Sequence, residues 1–403
     1  MALKLLINSL FRGGAEKQFA ALASRLPAAA VLLLENEISQ DTGGAAVTPL
    51  SSHDSATSPL LKTASIPLYA RRLARAAGRG DTVLSFMERA NIVNVLAAAR
   101  SGHRSVICER TRPSGEFSGL RGALMAPLIR RYYPRADVVV ANSEGVKLDL
   151  AENFGVRPDK ITVIPNGYDT AGIAARAAEP LPRGWDAVYR RPVVVTGGRL
   201  TAAKGQWHLL RIFRELKARN GDAALVLVGE GELRPRLEAL AAELGLKTFS
   251  GSEPPPPDAD VYFAGYRENP YQFLRPARIF AFTSLWEGFP NALVEALACG
   301  VPAAAADCLA GPREILAPAD GPVPRALAPE AAPYGVLMPP LSGAWAGASP
   351  LDPAERAWAE RLTSLLDDKP ALEAYSRAGL KRAADFELSR AVRRWEELLG
   401  VTR

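Results

Sequence analysis

The sequence predicts an α/β protein built from two doubly wound units, each a parallel sheet with helices on both faces. Three observations carry this. Apolar runs of strand length alternate with segments of helical period through both halves of the chain, the pattern of strand-helix-strand crossovers. The two alternations are of similar size, and the stretch 171–190 between them is rich in Ala, Arg and Pro without clear period. Gly-bearing loops follow several strands, the position at which such folds bind ligands.

The first alternation opens with the apolar strand Leu3–Leu6, the loop Arg12-Gly13-Gly14-Ala15-Glu16 and a helix reaching Leu26. Val31–Leu34, Thr82–Phe86, Ser105–Cys108 and Asp137–Ala141 read as further buried strands, separated by helical stretches such as Ala90–Arg100. Asp159–Pro165 reads as the last strand, closed by the turn Asn166-Gly167. Domains are therefore expected at 1–170 and 191–385, joined by a linker at 171–190, with a C-terminal helix at about 386–403 packing back on the first.

In the second alternation the strands are Pro192–Thr196, Ala224–Val228, Val261–Ala264, Ile279–Thr283 and Val301–Ala305. Helices are expected from about Gly205 to Arg219, Leu233 to Leu244 and Asn291 to Cys299. Pro254–Pro257 and the Ala/Pro/Gly-rich segment 320–353, holding only the short strand Tyr334–Met338, read as surface loops. The tail Pro353–Leu399 reads as helical, with Phe386 and Trp395 anchoring it. Two such units are expected to face each other across a cleft, with the C-terminal ends of the sheets turned towards it.

Composition narrows the class. In 403 residues, 48% are hydrophobic and 23% charged, with no run of eighteen apolar residues and no signal peptide, so a cytoplasmic globular protein is expected. The three cysteines, Cys108, Cys299 and Cys308, lack metal-ligand spacing and read as reduced thiols. Net charge is +6, but Arg is clumped: Arg104, Arg110, Arg112, Arg121, Arg130 and Arg131 face only Glu109 and Glu116, and Arg71, Arg72, Arg75 and Arg79 form a second group. Solvated helix faces or a surface for anionic lipid headgroups both fit this charge, and nucleic acid is not expected because no recognition motif accompanies it.

The chemistry concentrates on one edge of the second sheet. Glu287 and Glu295 flank Gly288-Phe289-Pro290-Asn291-Ala292-Leu293-Val294, one on the loop after a buried strand and the other a turn into the next helix, beside an N-terminus rich in backbone N–H groups. After Pro192–Thr196, the loop Gly197-Gly198-Arg199-Leu200-Thr201-Ala202-Ala203-Lys204-Gly205 brings two cations to the same edge, which suits a diphosphate. Gly229-Glu230-Gly231-Glu232 and Gly265-Tyr266-Arg267 follow two more strands. Asp258-Ala259-Asp260 follows four prolines and precedes a strand, a surface setting rather than a metal site, so no metal is expected.

With these residues in place, the sequence resembles a retaining nucleotide-sugar glycosyltransferase of family 4, of the GT-B fold with two Rossmann-like domains. The resemblance runs from Gly13-Gly14 through Val163-Ile164-Pro165-Asn166-Gly167 and Glu287-Gly288-Phe289-Pro290-Asn291 to Gly311-Pro312-Arg313-Glu314-Ile315-Leu316. Asn269-Pro270-Tyr271 and Asp307-Cys308 are similar to a bacterial branch that builds surface polysaccharide or lipid-linked oligosaccharide from a UDP-sugar.

The resemblance implies a metal-independent hexosyltransferase with an acceptor-side N-terminal domain and a nucleotide-sugar-binding C-terminal domain. It needs no cofactor beyond the donor, and its acceptor is a glycan or a polyprenyl-linked glycan. Glu295 is implied to hold the ribose hydroxyls and Glu287 the donor sugar, with the Gly288–Ala292 backbone (Gly288, Phe289, Pro290, Asn291, Ala292) reaching sugar and phosphate. Arg199 and Lys204 are implied to neutralise the departing diphosphate near Gly198, while Tyr266 and Arg267 lie by the base. Gly13 and Gly14 are implied to let the first loop approach phosphate or acceptor. Many relatives carry a His after an N-terminal strand, where this chain has Glu109-Arg110-Thr111-Arg112-Pro113, so the roles of Glu109, Arg110 and Arg112 stay open. His208 is expected to be structural. A UDP-sugar epimerase of the same fold and a non-catalytic sugar-nucleotide-binding assembly subunit are the alternatives, and the lack of an acid-base set around the sugar argues against the epimerase.

Overall fold

The computed structural model describes residues 2–11, 13–117, 119–251, 254–319 and 324–401, without the side chains at 120 and 121. Arg12, the side chain of Arg121 and residues 320–323 of the predicted insert therefore lie outside the described residues. The chain divides into two α/β units, one comprising Met1–Gly167 with Leu388–Arg403 and the other Tyr168–Glu387.

The first unit holds β1 (Leu3–Ile7), β2 (Ala28–Leu33), β3 (Val47–Pro49), β4 (Thr82–Phe86), β5 (Arg104–Glu109), β6 (Val138–Ala141) and β7 (Ile161–Val163). They form one parallel sheet in the order β3-β2-β1-β4-β5-β6-β7. Strands β4 and β5 are buried along nearly their whole length, as a parallel sheet covered on both faces requires. On one face the helix Leu388–Leu399 places Leu388, Val392, Trp395 and Leu399 in the core at helical spacing. Trp395 meets Phe86 with ring centroids 5.9 Å apart. That contact is why the end of the chain belongs to the first unit. Strand β3, short and ending in Pro49, gave no alternation to read.

The second unit holds β8 (Val193–Gly197), β9 (Ala224–Val228), β10 (Thr248–Phe249), β11 (Val261–Gly265), β12 (Ile279–Phe282), β13 (Ala303–Ala306), β14 (Glu330–Ala332) and β15 (Gly335–Met338). Its sheet order is β10-β11-β9-β8-β12-β13-β15-β14, parallel except for the β14–β15 pair. Val193 and Val195 of β8 enter one hydrophobic core while Val194 enters the other, the period-2 signature of a sheet covered on both sides. Four consecutive alanines form β13, where burial and pairing override a weak strand propensity.

Two features of the second unit differ from the sequence reading. Residues 171–190 do not form a bare connection: they carry the helices Thr170–Ala177 and Trp185–Val188. Trp185 is fully buried and packs edge-on against Phe273 at 5.0 Å, so this stretch is part of the second core. The segment 320–353 holds β14 as well as β15, and its later part is pinned rather than loose: Trp207 Nε1 donates to Ala344 O at 3.0 Å and Gly343 N donates to His208 Nε2 at 3.2 Å.

Sheet order positions the candidate site. From β8 the chain runs outward through β9 to β10 and β11, then returns to add β12 on the other side of β8. The loops leaving β8 and β12 therefore emerge side by side where the order reverses, the crevice in which doubly wound sheets take their ligands.

Candidate active site

Glycine governs how the strand-end loops of the second unit meet. Gly229 has φ 145°, and a Cβ there would stand 2.0 Å from Gly198 O. Gly231 is constrained in the same way, with Leu200 O 2.3 Å from an added Cβ. Gly198 N donates to Val228 O at 3.0 Å and Gly229 N to Gly265 O at 2.9 Å. The loops after β8, β9 and β11 are thus stacked backbone on backbone. Glycine at these positions permits a close approach between neighbouring loops.

A second set of contacts ties β8 to β12. Gly205, at φ 59°, leaves no room for a Cβ, which would lie 2.5 Å from Thr283 O. Thr283 Oγ1 donates to Lys204 O at 3.0 Å, and Leu285 N donates to Ala203 O at 2.8 Å. These bonds aim Lys204 at the following loop. Its ammonium pairs with the Glu287 carboxylate, the two side chains being 22% and 11% exposed, and lies 5.6 Å from the centroid of Phe282. Arg199 is exposed and makes no ion pair among the described residues. The edge therefore holds a compensated Lys–Glu pair beside an available guanidinium.

Helix Asn291–Ala298 follows the Glu287 loop, and no side chain caps its N-terminus. Asn291 Oδ1 accepts from Tyr168 OH at 2.6 Å. Glu295 Oε1 accepts from Tyr271 OH at 3.1 Å, with the Arg176 guanidinium 5.3 Å from the centroid of the Tyr271 ring. Tyr271 and Tyr168 are site neighbours that the residue-by-residue reading did not assign. The signal available was the motif Asn269-Pro270-Tyr271.

Between the two carboxylates, Phe289, Pro290, Leu293 and Val294 are buried. Phe289 packs edge-on against Phe386 at 5.3 Å, and an added Cβ at Gly311 would lie 2.3 Å from Pro290 Cδ. Within the Gly288–Ala292 backbone, Pro290 has no N–H to offer. Of the two residues read beside the base, Tyr266 is exposed. Arg267 turns inward: its Nε donates to Ala264 O at 2.8 Å, and its guanidinium lies 5.0 Å from the Phe273 ring centroid and 5.6 Å from that of Trp185.

In the first unit, Gly13 caps the helix that begins at Gly14, in the loop after β1. A Cβ on Gly13 would meet the Glu16 carboxylate at 2.0 Å. The neighbouring strand β4 is followed by Met87, whose φ of 74° makes it the non-Gly residue with positive φ among those described. The Glu109 loop is committed internally. Glu109 accepts from Tyr133 OH at 2.5 Å and from Arg110 N at 2.9 Å. Burial, and then the Glu88 carboxylate, push it up to about 7. The Arg110 guanidinium bonds Asn166 and lies 4.8 Å from the Phe86 ring centroid, while Arg112 pairs with Asp149 at 3.3 Å.

His208 is buried, with Nδ1 2.7 Å from Glu355 Oε1. Asp260 pairs with Lys217 at 2.8 Å and accepts from Lys247 N at 2.9 Å, which occupies the second carboxylate of the Asp-Ala-Asp sequence.

Comparison with known proteins decides the family. Residues 182–330 match the family model "Glycosyl transferases group 1", and residues 12–171 match "Glycosyltransferase Family 4". The chain is 31% identical over 325 residues, 78% of its length and 82% of the relative's, to a 4-alpha-N-acetylgalactosaminyltransferase of Campylobacter jejuni that acts on N-acetylgalactosamine-N,N'-diacetylbacillosaminyl-diphospho-undecaprenol. The chain belongs to glycosyltransferase family 4.

A second relative, the uncharacterized glycosyltransferase MJ1059 of Methanocaldococcus jannaschii, is 28% identical over 335 residues, 80% of each chain. Among solved structures, HepE of Anabaena in complex with UDP and glucose superposes with a TM-score of 0.75 at 20% identity, covering 100% of both chains. This likeness shows the GT-B fold. No described helix is long and apolar enough to cross a membrane.

Proposed function

We propose that this protein transfers a hexosyl group from a UDP-sugar, with retention at the anomeric carbon and without a metal, to a glycan or polyprenyl-linked glycan in cell-envelope polysaccharide synthesis. The observation that carries the reading is the Lys204–Glu287 pair at the reversal of the second sheet, beside the exposed guanidinium of Arg199 and the uncapped helix Asn291–Ala298. Cations at that edge suit a diphosphate; carboxylates suit hydroxyls. The C. jejuni relative, which uses a diphospho-undecaprenol acceptor, supports a lipid-linked acceptor.

In this reading the second unit holds the donor and the first serves the acceptor. Glu295, oriented by Tyr271, accepts hydrogen bonds from the ribose hydroxyls. Glu287 accepts from the donor sugar, and Lys204 turns its charge to the diphosphate. The acceptor hydroxyl attacks C1 from the face that the diphosphate leaves; the C1–O bond to phosphate breaks, the new C1–O bond forms, and the hydroxyl proton passes to a departing phosphate oxygen. Lys204 and Arg199 stabilise the charge that develops on that oxygen, and no protein nucleophile takes part. Gly13 and Gly14 open the first-unit loop to phosphate or acceptor, and Tyr266 lies by the base. The enzyme works on the cytoplasmic face of the membrane.

The test is a screen of purified protein against a panel of UDP-sugars and GDP-mannose, with and without EDTA. Turnover of one UDP-sugar that survives EDTA, giving an α-linked product from an α-linked donor, is the expected result. Turnover of GDP-mannose alone overturns the donor, and activity lost to EDTA but restored by manganese overturns the metal-independent mechanism.

A further inference from the structure

We propose that the exposed face of the helical segment 59–76 in the first unit docks on an anionic phospholipid bilayer. This deepens the membrane-face reading above by naming the surface. From Ser55 to Gly80 the sequence contains no Asp or Glu but has Lys62, Arg71, Arg72, Arg75 and Arg79. The segment forms the helices Pro59–Ala64 and Ile66–Ala76, joined at Ser65, which keeps helical dihedrals. Lys62, Ile66, Tyr69, Ala70 and Leu73 are buried, and their spacing of three and four continues through Ser65, so both helices show one common side to solvent.

That side is divided along its length. Its first part exposes Leu60, Leu61 and Leu68, at 64%, 53% and 44%. Its second part exposes Arg71 and Arg75, with Arg79 exposed in the turn beyond the helix, none of the three with an ion pair among the described residues. The other cations of the segment are used internally: Lys62 pairs with Glu35 at 2.8 Å, and Arg72 donates to Leu50 O. Protruding leucines beside uncompensated arginines match the interface of an anionic bilayer, acyl chains for the former and phosphates for the latter.

The other basic stretch, between Arg100 and Arg135, is less available. Arg104 donates to Leu398 O at 3.1 Å, Arg112 pairs with Asp149, and Arg130 donates to Asn153 O at 3.0 Å. Arg110 is buried. Three cations of that stretch, Arg104, Arg110 and Arg112, are thus spent inside the fold, while Arg100, Arg131 and Arg135 stay exposed.

The experiment is co-sedimentation with phosphatidylglycerol/phosphatidylcholine vesicles and with pure phosphatidylcholine vesicles at about 0.1 M salt. The wild type is expected to sediment with the former and stay in solution with the latter. The triple variant Arg71→Gln/Arg75→Gln/Arg79→Gln is expected to lose on the order of a hundredfold in partitioning, at roughly fivefold per arginine. Leu60→Gln/Leu61→Gln/Leu68→Gln is expected to weaken binding at least tenfold, and Arg214→Gln/Arg219→Gln in the second unit to leave it within about twofold. Wild type that ignores anionic vesicles, equal binding to neutral ones, a triple Arg variant that binds as wild type, or an equal loss from the second-unit variant each overturns the assignment. Sugar transfer to a water-soluble acceptor is read in parallel: it fails if the enzymatic reading is wrong and is untouched if only the docking surface is misplaced.

Discussion

Lys204 and Glu287, 83 positions apart in the chain, form an ion pair across the ends of two neighbouring parallel strands. Backbone bonds from Leu285 and a side-chain bond from Thr283 fix the two loops against each other, so the pair is built into the edge of the sheet. A cation held this way needs little reorganisation to meet a diphosphate.

Lys204→Met is expected to lower kcat on the order of a hundredfold with a smaller change in donor KM. Glu287→Gln tests the partner. If Lys204 only neutralised Glu287, the double variant Lys204→Met/Glu287→Gln would return to wild-type turnover in steady-state kinetics. We expect it to stay at or below the level of Lys204→Met.

Glu295 gives a prediction about the ribose. Charge-assisted hydrogen bonds of this type contribute about 1.5–3 kcal/mol, so Glu295→Ala is expected to weaken UDP binding by roughly ten- to a hundredfold. Tyr271→Phe, which removes only the 3.1 Å bond that orients the carboxylate, is expected to cost about fivefold. Calorimetry with UDP and 2'-deoxy-UDP checks the role: wild type should prefer UDP, and Glu295→Ala should bind both alike. An undiminished preference in the variant removes Glu295 from the ribose site.

The stacking of loops makes Gly229 intolerant of any side chain. Gly229→Ala sets a Cβ 2.0 Å from Gly198 O at φ 145°; overpacking and backbone strain together are expected to destabilise the second unit by about 3 kcal/mol. Gly221→Ala, which meets nothing within 4 Å, should be neutral within about 0.5 kcal/mol. Thermal melts of the two variants decide this, and equal Tm values would contradict the stacking.

Glu109 sets a pH dependence in the first unit. Burial and the nearby Glu88 raise its folded value from 4.5 to about 7. The unfolded chain releases this proton at the lower value while the fold retains it, so stability falls by about 3 kcal/mol as pH rises through that window. Glu109→Gln should flatten the profile of Tm against pH there, leaving the variant relatively more stable above about pH 7. An unchanged slope would show that the carboxylate is already ionised in the fold.

Much of this was legible in the chain. The valine-rich strands β8 and β9 read correctly because a strand buried on both faces has to be apolar throughout. Strands β3, β10 and β14 did not, because a two- or three-residue strand gains its stability from a neighbour rather than from its own pattern. The stretch 171–190 looked like a linker for the same reason: its helices are short, and Trp185 shows its weight only when Phe273 is placed against it.

The sequence by itself determined the alternation of strands and helices and the local chemistry of each strand end, since both are written in residues close along the chain. Which ends meet was decided only by the tertiary structure. The reversal of strand order beside β8 brings Lys204 to Glu287, and the packing of β9 against β8 sets Gly229 and Gly231 against the backbone of the neighbouring loop. The same packing folds Arg267 onto Trp185 and Phe273 and draws Arg104 and Arg110 inward. Charge and glycine are countable in a sequence; whether a guanidinium faces water or a carbonyl, and whether a missing Cβ makes room for a ligand or for a neighbouring loop, depends on long-range neighbours that no local pattern encodes.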